Sequence, residues 1–195
     1  MSTAPTKKYT PQEYLELERK AETKSYFYRG KIRARPPSNE RHCLVAGNLS
    51  ALIWNQRRDR PCEVFNSDMR VKVDWSGLYT YPDLSALCGD PEFDDEHLDT
   101  LLNPTLLVEV LSPSTEDYDR GGKFELYRQI PSLKEYLVVA QDRVFVEHPA
   151  KCDDGSWRLV DYRSLEDELT LGSIECRLRL ADVYERVEFP PAEQT

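Results

Sequence analysis

The stretch Pro104-Thr105-Leu106-Leu107-Val108-Glu109-Val110-Leu111 is an apolar run interrupted by a single acid. A run of this length and composition is typical of a strand that is buried on both faces of a sheet. Side chains alternate along a strand, so Leu107, Glu109 and Leu111 share one face. An ionised carboxylate left unpaired there would cost several kcal/mol. We therefore expect a metal ion, a cation or a set of hydrogen bonds to compensate Glu109.

A second carboxylate, Asp83, follows Pro82 in a predicted strand over 78–87. Proline donates no amide hydrogen, so this strand should lie at an edge or be irregular at Pro82. If it pairs with the strand of Glu109, the two carboxylates converge, and such hard oxygen ligands suit magnesium or manganese. Each acid also has an ordinary interpretation: Pro-Asp is a common turn, and a strand glutamate can pair with an arginine.

The remaining chain predicts helices and strands in mixed order. Helices are predicted over 10–18, 40–56, 114–131 and 181–186, a hairpin around Arg29-Gly30, and further strands over 62–73, 136–140, 143–147, 157–162 and 174–180. This order predicts an α/β (α+β) fold, a mixed β-sheet flanked by helices in a single domain. We place the domain at 9–188, between flexible ends at 1–8 and 189–195.

Composition indicates an ordinary water-soluble protein. Hydrophobic residues make up 39% and charged residues 31% of 195 positions, and no apolar run approaches the length that crosses a bilayer. The first ten residues lack the apolar centre of a signal peptide, so a cytoplasmic protein without membrane association is expected. The five cysteines are scattered without zinc-site spacing, which predicts reduced and mostly buried thiols.

The charge distribution bears on nucleic-acid binding. A net charge of −9 counts against general affinity for nucleic acid, because phosphate binding needs cations. Basic residues nevertheless concentrate in two segments, 24–41 and 56–72. A basic N-terminal half could meet a phosphate backbone, and a solvated charged face is the alternative.

Four segments together carry a family resemblance. They are Pro82-Asp83-Leu84-Ser85, Leu107-Val108-Glu109-Val110-Leu111-Ser112-Pro113-Ser114-Thr115, Asp119-Arg120 with Lys123 and Tyr127, and Pro131-Ser132-Leu133-Lys134-Glu135-Tyr136-Leu137-Val138-Val139. Over about 9–187 the chain resembles the bacterial "putative restriction endonuclease" family, a branch of the PD-(D/E)xK nuclease superfamily. The resemblance implies a restriction-endonuclease-like core, a sheet flanked by helices.

The resemblance also implies a divalent-metal site. Asp83 and Glu109 would bind magnesium or manganese with help from the Val110 carbonyl, and a lysine would act with them. The plain superfamily pattern has that lysine two residues after the glutamate, where this chain has Leu111. Lys123, on the following helix, is the nearest replacement and the position implied by the family; a solvated surface lysine is the alternative. The double glycine before it suggests a close backbone approach.

Two further positions matter in this comparison. His42 matches a family position at the start of the second helix, where it either faces the metal site as a catalytic residue or is structural. The family pattern implies a glutamate four residues before Gly30, and this chain has Tyr26 there. That departure removes a third carboxylate.

The implied activity is metal-dependent hydrolysis of phosphodiester bonds in nucleic acid, with DNA as the expected substrate, by a homodimer. Two other classes of function stay open. One is a degenerate nuclease fold that serves as a nucleic-acid or protein interaction module. The other is a dimeric assembly protein that uses an exposed sheet edge.

Overall fold

This computed structural model describes residues 7–112 and 118–190 of the chain, which form four α-helices and thirteen strands. The helices are α1 (Pro11–Glu18), α2 (Glu40–Arg57), α3 (Phe124–Tyr127) and α4 (Leu180–Val183), with a π-helical segment at Tyr118–Lys123 and a 3-10 turn at Gly172–Ile174. The strands are β1 (Ser25–Tyr28), β2 (Lys31–Ala34), β3 (Cys62–Asn66), β4 (Arg70–Val73), β5 (Leu78–Thr80), β6 (Leu84–Cys88), β7 (Thr100–Leu101), β8 (Leu106–Leu111), β9 (Glu135–Ala140), β10 (Val146–Lys151), β11 (Trp157–Tyr162), β12 (Glu168–Leu171) and β13 (Cys176–Arg179).

A six-stranded mixed sheet in the order β11-β10-β9-β8-β6-β3 forms the centre. β8 and β9 run parallel, and the other neighbouring pairs are antiparallel. A five-stranded sheet in the order β2-β1-β5-β4-β7 and the β12-β13 hairpin pack around it. This mixed α+β single domain, with sheets flanked by helices, confirms the predicted fold class.

The two faces of β8 belong to two different cores, as the alternation of its side chains predicts. Leu106, Val108 and Val110 pack with α2, α4 and the β12-β13 hairpin. Leu107 and Leu111 pack on the other face, with Tyr127 of α3 and the five-stranded sheet. Glu109 shares this second face and is buried. The strand is therefore covered on both sides, and its one acid is buried.

Pro82 marks the point where the chain passes from one sheet to the other. The predicted strand over 78–87 is two strands, β5 in the five-stranded sheet and β6 in the central sheet. The predicted strand over 62–73 divides in the same way into β3 and β4. Proline cannot donate to a ladder, so the break at Pro82 is the irregularity that its position indicated. Asp83 consequently stands directly before β6.

Other predicted elements agree in part. Thr10 caps α1 in a capping box with Glu13, and α2 begins at the predicted residue. The strand predicted over 143–147 lies at Val146–Lys151, and the sequence did not predict β7 or β12. The predicted helix start at 114 lies outside the described residues. Gly121 falls in the π-helical segment with open space around it, so a close backbone approach is wrong there.

The cysteine prediction is wrong. Cys62 and Cys88 form a disulfide where β3 and β6 pair them directly across the ladder. Cys43 and Cys152 are exposed, and Cys176 is buried. A scattered spacing cannot reveal this pairing, because two strands distant in sequence bring the two thiols together. None of the helices in the described parts of the chain is long and apolar enough to span a bilayer.

Candidate metal and catalytic site

Asp83 lies opposite Glu109 on neighbouring strands of the central sheet. β6 and β8 pair Leu84 with Val108, so continuing the antiparallel register by one residue sets Asp83 against Glu109. The amide of Val110 donates to Asp83 Oδ2 at 2.7 Å. The N–H and C=O of a strand residue point to the same edge, so the Val110 carbonyl faces the side of Asp83.

Two cationic or donor side chains hold the other oxygen of Asp83. His42, in the first turn of α2, donates from Nε2 to Oδ1 at 2.9 Å. Arg35, just after β2, forms an ion pair with the same oxygen. Burial raises the pKa of Asp83, but His42, Arg35 and the Val110 amide outweigh it, so the net pKa is lowered. Asp83 is therefore a carboxylate at neutral pH.

Glu109 has one neutral and one charged partner. Tyr127 of α3 donates its hydroxyl to Oε1 at 2.7 Å, and the Lys123 ammonium lies 3.0 Å from Oε2. Burial raises the pKa of Glu109 to about 8; Lys123 opposes this rise, and the negative charges of Asp119 and Asp83 add to it. The site thus holds a carboxyl group that a proton and a cation would compete for.

Lys123 bridges two acids from the end of the π-helical segment. Its ammonium is 2.8 Å from Asp119 Oδ1 as well as 3.0 Å from Glu109. Burial lowers the pKa of Lys123, but the charges of Glu109 and Asp119 outweigh it and the pKa is raised. Lys123 is therefore a cation held inside the protein. Its ammonium contacts Glu109, whereas the partners of Asp83 are His42 and Arg35.

These residues line one cavity of about 510 Å³. The sequence-predicted residues Asp83, Glu109, Val110, Lys123 and His42 all border it. Sequence reasoning missed three others that the structure adds: Arg35, Asp119 and Gln141. Arg35 and Asp119 stand in segments that the sequence singled out for their charge or motif. Gln141 follows β9, beside Glu109's strand, and nothing in the sequence pointed to it.

The donor set of this cavity fits a hard divalent cation. Asp83 and Glu109 offer carboxylate oxygens and Val110 a carbonyl, and Gln141 Oε1 is buried with no hydrogen-bond partner within the described part of the chain. Across 7–112 and 118–190 no group of three His, Cys, Asp or Glu side chains is arranged to hold a metal. Magnesium commonly takes only one or two carboxylates and keeps several waters, so two acids and a carbonyl suffice for it.

A protein-family model matches most of the chain. A family model described as "Uma2: Putative restriction endonuclease" matches residues 11–181. The chain belongs to this family. The matched range contains every site residue named above, so the whole cavity lies within the Uma2 part of the chain.

Relatives of this Uma2 protein extend the comparison. It is 37% identical over 187 residues to the uncharacterized protein slr1290 of Synechocystis sp. (strain PCC 6803), covering 96% of this chain and 97% of that one. It is 39% identical over 161 residues to the uncharacterized protein sll1609 of the same organism, covering 83% and 91%. The crystal structure of a protein described as a putative nuclease belonging to DUF820, from Anabaena variabilis, superposes with a TM-score of 0.75 at 17% identity, over 90% of this chain and 97% of that one. That likeness shows a shared fold.

Proposed function

We propose that this Uma2 protein is a metal-dependent endonuclease that hydrolyses phosphodiester bonds, with DNA as its substrate. The observation that carries the proposal is the meeting of Asp83, Glu109 and Lys123 in one cavity. Two buried acids and a buried cation are costly to maintain in a protein interior. Such a cost is typical of functional sites, where perturbed ionisable groups cluster. Membership of the nuclease family supports the same reaction class.

Asp83, Glu109 and the Val110 carbonyl would hold one magnesium or manganese ion. When bound, the ion would stabilise charge on the scissile phosphate and lower the pKa of a water. Glu109 must lose its proton to serve as a ligand, and the neighbouring Lys123 favours that loss.

Lys123 would neutralise negative charge that develops on the phosphate, or orient the attacking water. Asp119 holds the ammonium from one side and Glu109 from the other, so the lysine is positioned before substrate arrives. His42 and Arg35 keep Asp83 ionised and fix its orientation. Tyr127 orients Glu109 through its hydroxyl, and this hydrogen bond opposes the rise of the Glu109 pKa that burial causes.

The direct test is a calorimetric titration of magnesium and of manganese into wild type and Glu109→Ala, paired with a plasmid-cleavage assay. The expected result is metal binding and metal-dependent cleavage by wild type and loss of both in the variant. Glu168→Ala removes an exposed acid from β12 and serves as the matched control. Wild type that binds metal but leaves DNA and RNA intact would contradict the nuclease proposal.

The second candidate is a degenerate nuclease fold that acts as a nucleic-acid or protein interaction module. Tyr26 favours it, because this residue borders the cavity where the family pattern implies a third acid. The acidic net charge favours it as well. In that case the folded wild type would bind neither magnesium nor manganese in the same titration.

A further inference from the structure

A second cavity, of about 770 Å³, lies at the other end of the central sheet. Its lining includes the first residue of β9, Glu135, and the Cys62–Cys88 disulfide at the far end of β6. Asp83 stands before β6 and Glu109 near the end of β8, which runs parallel to β9. A strand of five or six residues spans roughly 17–20 Å. The two cavities are therefore separate sites.

Cations dominate this second cavity. Its lining contains two carboxylates, Glu135 and Glu175, against five basic side chains: Arg57, Arg60, Lys134, Lys151 and Arg158. The chain as a whole carries a net charge of −9, so a positive surface of this kind runs against its composition. Local positive potential in a concave site attracts anions.

Glu135 sets one negative charge against these cations, and both of its oxygens are already hydrogen-bonded to other donors. His148 donates to its Oε1 at 3.0 Å, as does the Gly172 amide at 3.0 Å. The Ser173 amide donates to Oε2 at 2.8 Å, and the Ser173 hydroxyl bonds the same oxygen. Glu135 is thus a buried anchor for the turn between β12 and β13, with its oxygens turned to their own donors.

Arg57 is the most buried of the five cations, and its acidic partner in the described residues is a mostly exposed side chain. Its side chain is 13% exposed, and the nearest acid, Glu175, sits 3.5 Å away with 75% of its side chain in solvent. The Nε atom of Arg57 is buried without a hydrogen-bond partner in the described residues. A guanidinium that has left water normally gains a full set of charged hydrogen bonds. An anion in the cavity would supply what is missing.

The other four cations are exposed around the same concavity. In the parts of the chain that the structure describes, no acid comes within ion-pair distance of these side chains: Arg60, Lys134, Lys151 and Arg158. They come from four different places: the turn between α2 and β3, the turn before β9, the end of β10, and β11. Cations drawn from four elements and left unpaired are arranged for a ligand with several negative charges.

The remaining walls suit a group larger than an inorganic anion. Tyr162, Val160 and Pro61 add apolar and aromatic surface. The volume is within the range of pockets that hold small organic ligands. We propose that this cavity binds a polyphosphate-bearing ligand of nucleotide size, with the phosphates on the cations and the organic part against the apolar wall. A free nucleotide and a nucleotide unit of a nucleic acid share this chemistry.

Calorimetry on the full chain in EDTA tests the proposal, because the chelator removes any metal from the Asp83 site. The probes are tripolyphosphate, ATP and a short single-stranded DNA. The variant is Lys134→Ala with Arg158→Ala, and the matched control is Lys20→Ala with Lys31→Ala, which removes two exposed cations outside the lining of this cavity. We expect tripolyphosphate and ATP to bind wild type and the control alike, and the cavity variant about tenfold or more weakly.

The three probes distinguish the sources of phosphate. Binding of ATP ahead of the DNA assigns the cavity to a free nucleotide, and binding of the DNA alone, weakened in the cavity variant, assigns it to a nucleic-acid strand. Glu109→Ala should bind tripolyphosphate and ATP as wild type does, because Glu109 lies outside the lining of this cavity, so failure of the nuclease proposal leaves these two results unchanged. No binding by any probe, or equal weakening in the cavity variant and the control, would overturn the proposal.

Discussion

The Lys123 ammonium lies 3.0 Å from Glu109 Oε2 in a cavity where the lysine side chain is 16% exposed. The plain superfamily spacing would put a lysine on the same strand as the acid, at the position of Leu111. Leu111 is instead part of the core. The cation therefore arrives from another element, the segment before α3, and reaches the same carboxylate.

Replacing Lys123 by methionine should abolish metal-dependent DNA cleavage and leave the fold and metal binding largely intact. Methionine keeps much of the apolar stem but removes the charge that would act on the phosphate. Plasmid cleavage with magnesium or manganese measures the effect, and Lys20→Met, at an exposed site, is the control. If Lys123→Met cleaves as well as wild type, the catalytic role is wrong and the interaction-module function gains support.

Glu109→Gln should stabilise the metal-free protein at about pH 8 and above, where wild type loses the stability that the protonated Glu109 gives it in acid. A folded pKa raised from 4.5 to about 8 gives stability that is complete below 4.5 and is lost as pH rises through about 8. Glutamine mimics the protonated acid. The variant's free energy of unfolding should therefore exceed that of wild type by on the order of 1–3 kcal/mol above about pH 8, and the difference should vanish near pH 4.

Urea unfolding in EDTA across this pH range measures the difference. Glu168→Gln, at an exposed position, is the matched control and should show no trend. A Glu109→Gln protein that is less stable than wild type at the alkaline end would show that the Glu109–Lys123 ion pair stabilises the fold on balance.

Tyr26→Glu should tighten magnesium binding, because it restores an acid at the position that the family pattern implies. Tyr26 borders the cavity of Asp83 and Glu109. A third carboxylate near a divalent ion adds charge attraction worth roughly tenfold in affinity. Calorimetry compares it with Tyr28→Glu, on the same strand but outside the lining of that cavity. Equal affinities in wild type and Tyr26→Glu would separate Tyr26 from the metal site.

Arg19→Met should weaken the protein at neutral pH, and the loss should shrink in acid. Arg19 lies 2.8 Å from Asp99 and 2.7 Å from Asp95. Its hydrogen bond lowers the pKa of Asp99 to about 2 from 3.8. A depressed pKa contributes stability that is present above 3.8 and lost as pH falls towards about 2.

The expected loss at neutral pH is on the order of 1 kcal/mol, since both partners are partly exposed and solvent screens them. Urea unfolding at several pH values measures it. Arg128→Met, whose partner Glu125 is mostly exposed, should cost less. A deficit for Arg19→Met that does not change with pH would assign its role to packing.

The family resemblance predicts a homodimer with an apolar contact outside the metal cavity. Exposed apolar side chains lie outside the lining of that cavity, among them Trp54, Trp75 and Leu159. Sedimentation velocity at micromolar concentration measures the mass directly. A monomeric mass under those conditions would contradict the prediction.

Local pattern was enough to predict elements whose order arises within a few residues. The capped start of α1, the hairpin of β1 and β2, the periodicity of α2 and the buried strand β8 all follow from sequence neighbours. Local pattern did not predict that one extended segment contributes to two sheets, as it does at Pro82. The neighbouring residues do not indicate which sheet a strand joins.

By itself the sequence determined that Glu109 needs compensation, because a lone acid in a buried apolar strand has no other way to remain charged. It also placed Asp83, His42 and Lys123 as candidates through the family motif. Only the tertiary structure decided which side chains pair with each acid. His42 and Arg35 contact Asp83, and Lys123 and Tyr127 contact Glu109. It alone joined Cys62 to Cys88 and gathered the five cations of the second cavity. These pairings depend on side-chain distances across elements far apart in sequence, and chain order does not encode such distances.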